Sequence, residues 1–224
     1  MFLAKKDIDR SIKFVADFAD TSDWVEIMKI FNSVNLLKAI AKIIPLDNPN
    51  LSKDDVTQVL ITLVTECSAD DFIEKFYKLK PEMYNSSKLI NEVSRQAEGE
   101  TKLNESLMLL QHSLENHQNA LKTALEIKHK TFFTNVETFM QYDFVKTNFP
   151  QVLRQFPEQL ASFLIKHLDE YPPTPIIKEC NALLNEYRND YSNPAVATIQ
   201  NFKLEYLDKL YEKKSDIFQQ EKYC

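Results

Sequence analysis

The sequence predicts an all-α protein. It has one glycine, Gly99, among 224 residues, where average usage of about 7% would give roughly sixteen. Glycine supplies the positive-φ turns and close backbone approaches that many other folds and phosphate-binding loops require. No segment alternates apolar and polar residues long enough to indicate a sheet, and the apolar residues recur at helical spacing instead. We therefore expect an elongated multi-helix bundle of about 8–10 helices, and no repeat is evident at periods of roughly 33 to 47 residues.

The composition is that of a globular protein. Hydrophobic residues make up 44% of the chain and charged residues 27%, while the net charge is −6. An acidic chain lacks the basic footprint of a nucleic-acid binder, so we expect no nucleic-acid partner. Three scattered cysteines, Cys67, Cys180 and Cys224, indicate free thiols in a reducing compartment. The charged start and the lack of a long apolar window predict no signal peptide and no transmembrane segment, and hence a cytoplasmic protein or an effector delivered to a host cytosol.

The N-terminal part is predicted to form five helices separated by capping residues and prolines. The first covers about residues 4–19, and the second follows an Asp23 cap and runs to Ile44, before Pro45. Caps at Ser52 and Ser68 begin the third and fourth helices. The fifth covers about residues 86–97, and Gly99 then marks a sharp reversal, which we expect to be a hinge.

Residues 100–148 predict one long, kinked helix, because fifty residues from Glu100 to Phe149 contain neither glycine nor proline. Leucines from Leu103 to Leu121 follow a heptad-like spacing, so the 103–124 segment is a candidate seam for a homo-oligomer. His117 falls within this seam, where a polar residue fixes register or senses pH. The alternative is a break in the polar stretch 115–119.

The C-terminal part is divided by prolines. Pro157 begins a helix that reaches Leu168, a linker covers residues 171–175, and Pro175 and Pro194 begin two further helices. Short connections of this kind imply antiparallel neighbours. We predict an N-terminal bundle over residues 1–98 and a second part over residues 99–224, with a single domain as the alternative.

The sequence contains no recognisable catalytic motif, glycine-rich phosphate loop or zinc signature, so we expect no cofactor. Asp70, Asp71 and Glu74 form a DDxxE run that resembles the magnesium-binding motif of the all-α terpenoid synthases. That resemblance implies Mg²⁺ held against a diphosphate substrate. The alternative is that carboxylates are simply favoured in the first turn of a helix by its dipole.

Aromatic residues outside the main apolar stripes suggest a surface for a protein partner. Adjacent Phe132 and Phe133 point about 100° apart on a helix, so one core covers both only when the helix is enclosed on two sides. The last helix repeats the pattern, and the candidate partner-binding residues are Phe132, Phe133, Tyr206, Tyr211 and Phe218. We predict a non-enzymatic protein–protein interaction module, an adaptor or an effector, with a magnesium-dependent enzyme or a peripheral membrane binder as alternatives.

Overall fold

The computed structural model describes residues 8–18, 23–98, 100–187 and 192–222, with side chains as far as residue 214. Over these ranges the chain forms fourteen α-helices, two 3-10 helices at Pro81–Met83 and Thr101–Leu103, and no strand. The all-α prediction is confirmed, whereas the expected helix count was too low. The helices are α1 (Ile8–Asp17), α2 (Trp24–Ser33), α3 (Leu37–Ile40), α4 (Lys53–Glu66), α5 (Ala69–Phe76), α6 (Ser86–Ala97), α7 (Asn104–Ser113), α8 (His117–Glu126), α9 (Phe132–Thr138), α10 (Tyr142–Thr147), α11 (Phe149–Gln155), α12 (Pro157–Lys166), α13 (Pro173–Glu186) and α14 (Pro194–Lys222).

The starts of α2, α4 and α5 follow the predicted caps, whereas α13 begins at Pro173, two residues before the predicted Pro175. At α4 the Ser52 hydroxyl accepts a hydrogen bond from the Asp55 amide at 3.2 Å, and the Ser52 amide donates to the Asp55 carboxylate at 2.9 Å. Asp23 and Ser68 cap α2 and α5 in the predicted way. Each such cap contributes about 1 kcal/mol because it satisfies an amide that has no partner within the helix.

The predicted long helix over residues 100–148 is wrong. The chain leaves the helical conformation and turns back at Glu115, Lys128 and Met140, whose φ angles are 58°, 52° and 52°. The second predicted helix is interrupted in the same way at Asn35, where φ is 55°. The break at Glu115 lies in the polar stretch 115–119, which was predicted as the alternative to a continuous helix. The turns at Asn35, Lys128 and Met140 were not predicted, because glycine was expected at left-handed positions and the chain uses other residues there.

Hydrogen bonds close each of these four turns in the pattern of a Schellman motif. After α7 the Asn116 amide donates to the Gln111 carbonyl at 2.9 Å, and the Glu115 amide donates to the His112 carbonyl at 3.0 Å. The same pair of bonds occurs around Asn35, Lys128 and Met140. A non-glycine residue in this conformation costs roughly 1–2 kcal/mol, which the bonds and the packing of the helices offset. Gly99, the predicted hinge, lies outside the described residues.

The chain divides into two compact units, Met1–Thr123 and Ala124–Cys224. The sequence suggested a division after residue 98, which differs from this boundary. That residues 1–98 and 99–224 fold independently stays a prediction. In the first unit α4 packs against α5 and α6, and α6 packs against α7. Fully buried side chains hold this core together, among them Trp24, Ile40, Leu60, Leu63, Phe72 and Leu89.

In the second unit α14 packs against α11, α12 and α13. The Lys213 ammonium donates to the Ile165 carbonyl at 2.6 Å, while Pro157 and Glu205 line a shared depression near the start of α12. The start of α12 thus lies beside the earlier part of α14 and its end lies beside the later part, so α12 and α14 run parallel. Their shared core includes Leu160, Leu164, Phe202 and Tyr206.

The 103–124 segment does not form the continuous helical seam that was predicted for a homo-oligomer. Most of the predicted seam positions are buried within the protein instead of lining one exposed stripe; these are Leu103, Leu107, Leu110, Leu121 and Ala124. The physical reason is the reversal at Glu115, which divides the heptad spacing between two helices.

Candidate protein-interaction surface

Phe132 and Phe133 belong to an aromatic cluster in the interior of the second unit. Phe132 is fully buried, and its ring stacks on Phe156 with centroids 5.1 Å apart. Phe133 is half-buried and packs against Phe163 at 4.6 Å. The helix is thus covered on two sides by its own chain. This corrects the prediction that Phe132 contacts a partner, because its ring has no accessible surface.

Tyr206 and Tyr211 lie on different faces of α14. Tyr206 is buried, and its hydroxyl has no hydrogen-bond partner. Burial raises the pKa of Tyr206 to about 12. Its assignment to a partner surface is therefore wrong, since Tyr206 lies one turn from both Phe202 and Leu210 in the core stripe. Tyr211 is 77% exposed and remains a candidate. The Phe218 side chain lies outside the described residues.

Among its described side chains, as far as residue 214, the exposed face of α14 carries three large apolar ones. Leu204 is 62% exposed, Leu207 36% and Tyr211 77%. With 3.6 residues per turn, Tyr211 lies about 20° and Leu207 about 60° around the helix from Leu204. Their spacing of three and four residues is the one that helices use to contact another helix. We call these three residues the α14 stripe. The sequence signal for it was present, but Leu204 was not singled out.

Charged side chains border the α14 stripe on both sides. Asp208 and Glu212 lie about 40° and 80° from Leu204 in one direction, and Lys214 and Lys203 lie about 80° and 100° away in the other. Lys203 donates to the Asn181 side-chain oxygen at 2.7 Å. The other three make no hydrogen bond or ion pair with the described residues. The stripe therefore has an acidic edge and a basic edge.

The structure does not bring the DDxxE carboxylates together as a metal site. Lys102 binds Asp70 at 3.0 Å, Lys42 binds Asp71 at 2.8 Å, and Lys78 binds Glu74 at 3.1 Å. Within the described residues no group of three metal-ligating side chains occurs. Hydrogen bonds from Lys42 and Ser68 lower the pKa of Asp71.

The magnesium interpretation is therefore corrected. Each of its three carboxylates has its own lysine, and Asp71 also accepts a hydrogen bond from the hydroxyl of Ser68, the cap of α5. Carboxylates in a first helical turn, with lysines to neutralise them, account for the motif.

His117 begins α8 instead of interrupting a continuous seam. Its Nδ1 atom lies 3.2 Å from Nδ1 of His112, across the reversal at Glu115. Burial, with a smaller contribution from His117, lowers the pKa of His112 to about 4. A register role in a long helix is excluded because the helix ends at Ser113. The residue with the shifted pKa is His112, which sequence reasoning did not single out.

A second group of polar residues fixes α9 to the end of α12. Glu137 accepts hydrogen bonds from the Lys166 ammonium and from the His167 ring, each at 2.8 Å. These two hydrogen bonds lower the pKa of Glu137. The group helps to position α12, on which α14 packs. No sequence pattern indicated it, because Glu137 and His167 are thirty residues apart.

A cavity of about 380 Å³ lies between α11, α13 and α14. Its walls are largely apolar and include Leu153, Leu183 and Ile199, with Arg154 and Glu186 also lining it. It lies near the start of α14, well before the α14 stripe in the chain. Sequence reasoning had no signal for it, since its lining residues come from three helices.

Comparison with known proteins identifies a family. The family model described as the Vps41 TPR-like region matches residues 2–223. Searches of curated proteins and of solved structures give no match. TPR repeats are helix–turn–helix units that stack on their neighbours, which agrees with the succession of short helices described above. None of the helices in the described ranges is long and apolar enough to cross a membrane.

Proposed function

The chain belongs to the Vps41 TPR-like region family, and from that membership we propose that it is an adaptor that binds a protein partner through the α14 stripe. Stacked helical units present extended surfaces to partners, which supports a helical protein-interaction module. The observation that carries the choice of surface is the position of Leu204 and Tyr211. Both lie at the centre of the exposed face of α14, where a solvent-facing helix usually carries polar side chains.

Tyrosine is well suited to such a contact. A tyrosine offers a large apolar ring and a polar hydroxyl, and tyrosines are enriched among the residues that dominate binding energy. Because the Tyr211 side chain is 77% exposed, its replacement removes little packing within the protein. Loss of binding and loss of folding can therefore be separated at this position.

The test compares the full chain with Tyr211→Lys and with a matched control, Met140→Lys. Met140 is also a large apolar residue, 79% exposed, and lies on the turn after α9. Partners captured by the wild type are identified by mass spectrometry, purified, and measured by calorimetry. We expect Tyr211→Lys to weaken binding at least about 30-fold and Met140→Lys to leave it unchanged. Urea denaturation checks that all three proteins unfold at similar midpoints.

A purified partner that binds Tyr211→Lys as tightly as the wild type would refute this surface. If Tyr211→Lys and Met140→Lys lose the same amount of binding affinity, the effect comes from the general polarity of the surface instead.

A further inference from the structure

The α14 stripe has the features of a docking site for one helix. Leu204, Leu207 and Tyr211 are separated by three and four residues, so they form a single ridge about two turns long. An amphipathic helix contacts such a ridge through its own apolar residues at the same spacing. The two edges of opposite charge then lie beside the polar flanks of the incoming helix.

We propose that the occupant of the α14 stripe is an amphipathic helix of a partner protein, with basic residues along one edge and acidic residues along the other. This inference rests on the proposed function and names the chemistry of the partner. The basic edge of the partner meets Asp208 and Glu212, and its acidic edge meets Lys214 and Lys203. Asp208, Glu212 and Lys214 are without a partner among the described residues, so no existing ion pair has to break.

The size of the stripe favours a helix of another protein over a second copy of this chain. One tyrosine and two leucines offer on the order of 300 Å² of apolar surface. A stable interface buries about 800 Å² on each side. The stripe alone is thus too small for a lasting dimer, whereas it suits a helix that binds reversibly and inserts a few anchoring side chains.

The test uses three synthetic helical peptides, each with leucines at heptad spacing. In the mixed peptide one edge is basic and the other acidic, and in the two controls both edges are acidic or both are basic. Each peptide carries a fluorophore, and its binding to the full chain is followed by fluorescence anisotropy at physiological salt. We expect the wild type to bind the mixed peptide at least about tenfold more tightly than either control.

A double variant of the protein, Asp208→Lys with Glu212→Lys, makes both edges of the stripe basic. We expect its preference to change to the peptide with two acidic edges, because the stripe itself is unaltered and only one edge has changed sign. Tyr211→Lys should lose binding of every peptide. Both substituted acidic side chains are exposed, so folding is retained, which a circular dichroism melt verifies.

Three outcomes would overturn the proposal. The double variant is expected to prefer the peptide with two acidic edges, so an unchanged ranking of the three peptides would contradict the charge assignment. If the wild type binds the all-basic peptide most tightly, the binding reflects simple attraction to the net charge of −6. A concentration-dependent dimer that Tyr211→Lys abolishes, measured by analytical ultracentrifugation, would identify a second copy as the occupant. If partner capture still depends on Tyr211 in these cases, the proposed function stands without this inference.

Discussion

Replacing Phe132 with alanine tests whether the aromatic cluster is core or partner surface. The Phe132 ring is fully buried, stacks on Phe156 at 5.1 Å and meets Phe144 edge-on at 6.1 Å. Removing a buried phenylalanine side chain costs about 3–5 kcal/mol, since both its burial and its ring contacts are lost. With a denaturant dependence of about 1–3 kcal/mol per molar urea, the unfolding midpoint should fall by roughly 1–5 M.

The assay is urea denaturation followed by far-ultraviolet circular dichroism, with Tyr211→Ala as the matched control. Tyr211 is an aromatic residue of the same unit but is 77% exposed, so its truncation should change the free energy of unfolding by less than about 0.5 kcal/mol. A Phe132→Ala midpoint within the error of the Tyr211→Ala midpoint would refute the placement of Phe132 in the core. The same result would restore Phe132 as a candidate for partner binding.

Two further predictions concern the reversals between helices. Met140→Gly should raise the free energy of unfolding by about 0.5–1 kcal/mol, because glycine adopts a φ of 52° without strain. Met140→Val should lower the free energy of unfolding. Equal urea midpoints for the two variants and the wild type would contradict the argument. His112→Gln should reduce the loss of stability on acidification. The pKa of His112 is about 4 in the folded protein and about 6.5 when unfolded, so the unfolded state binds more protons at this residue between these values. Between pH 7 and pH 5 His112 alone should therefore lower the free energy of unfolding by about 2 kcal/mol. Thermal melts at the two pH values measure this, and the same pH dependence in the variant would exclude His112 as its source.

The starts of α2, α4 and α5 could be predicted because the signals of their caps are local. Ser52 and Asp55 lie three residues apart and form their reciprocal bonds within one turn. Helix α6 spans Ser86–Ala97, as the sequence predicted. The cap of α4 and the extent of α6 each depend on side chains only a few positions away along the chain, and a single sequence contains all of these.

The helix ends between residues 104 and 141 could not be predicted in the same way. The polar stretch 115–119 indicated the break at Glu115 as an alternative, but at Lys128 and Met140 the residue type gives no warning of a positive φ, because the conformation is selected by the packing of the helices on either side. The exposed stripe of α14 was found only in part for a related reason. Tyr206 and Tyr211 are both tyrosines, and only the helices packed on α14 decide that one is buried and the other exposed.

The four Schellman turns have a consequence for how the chain folds. Each turn is closed by bonds between residues no more than five positions apart, so its formation requires almost no loop entropy. A helix and the reversal that follows it can therefore form together before distant parts of the chain meet. Folds built from such local contacts reach the native state faster than those that depend on distant strand pairing. The scarcity of glycine also narrows the unfolded ensemble, because each non-glycine residue has fewer backbone conformations to lose.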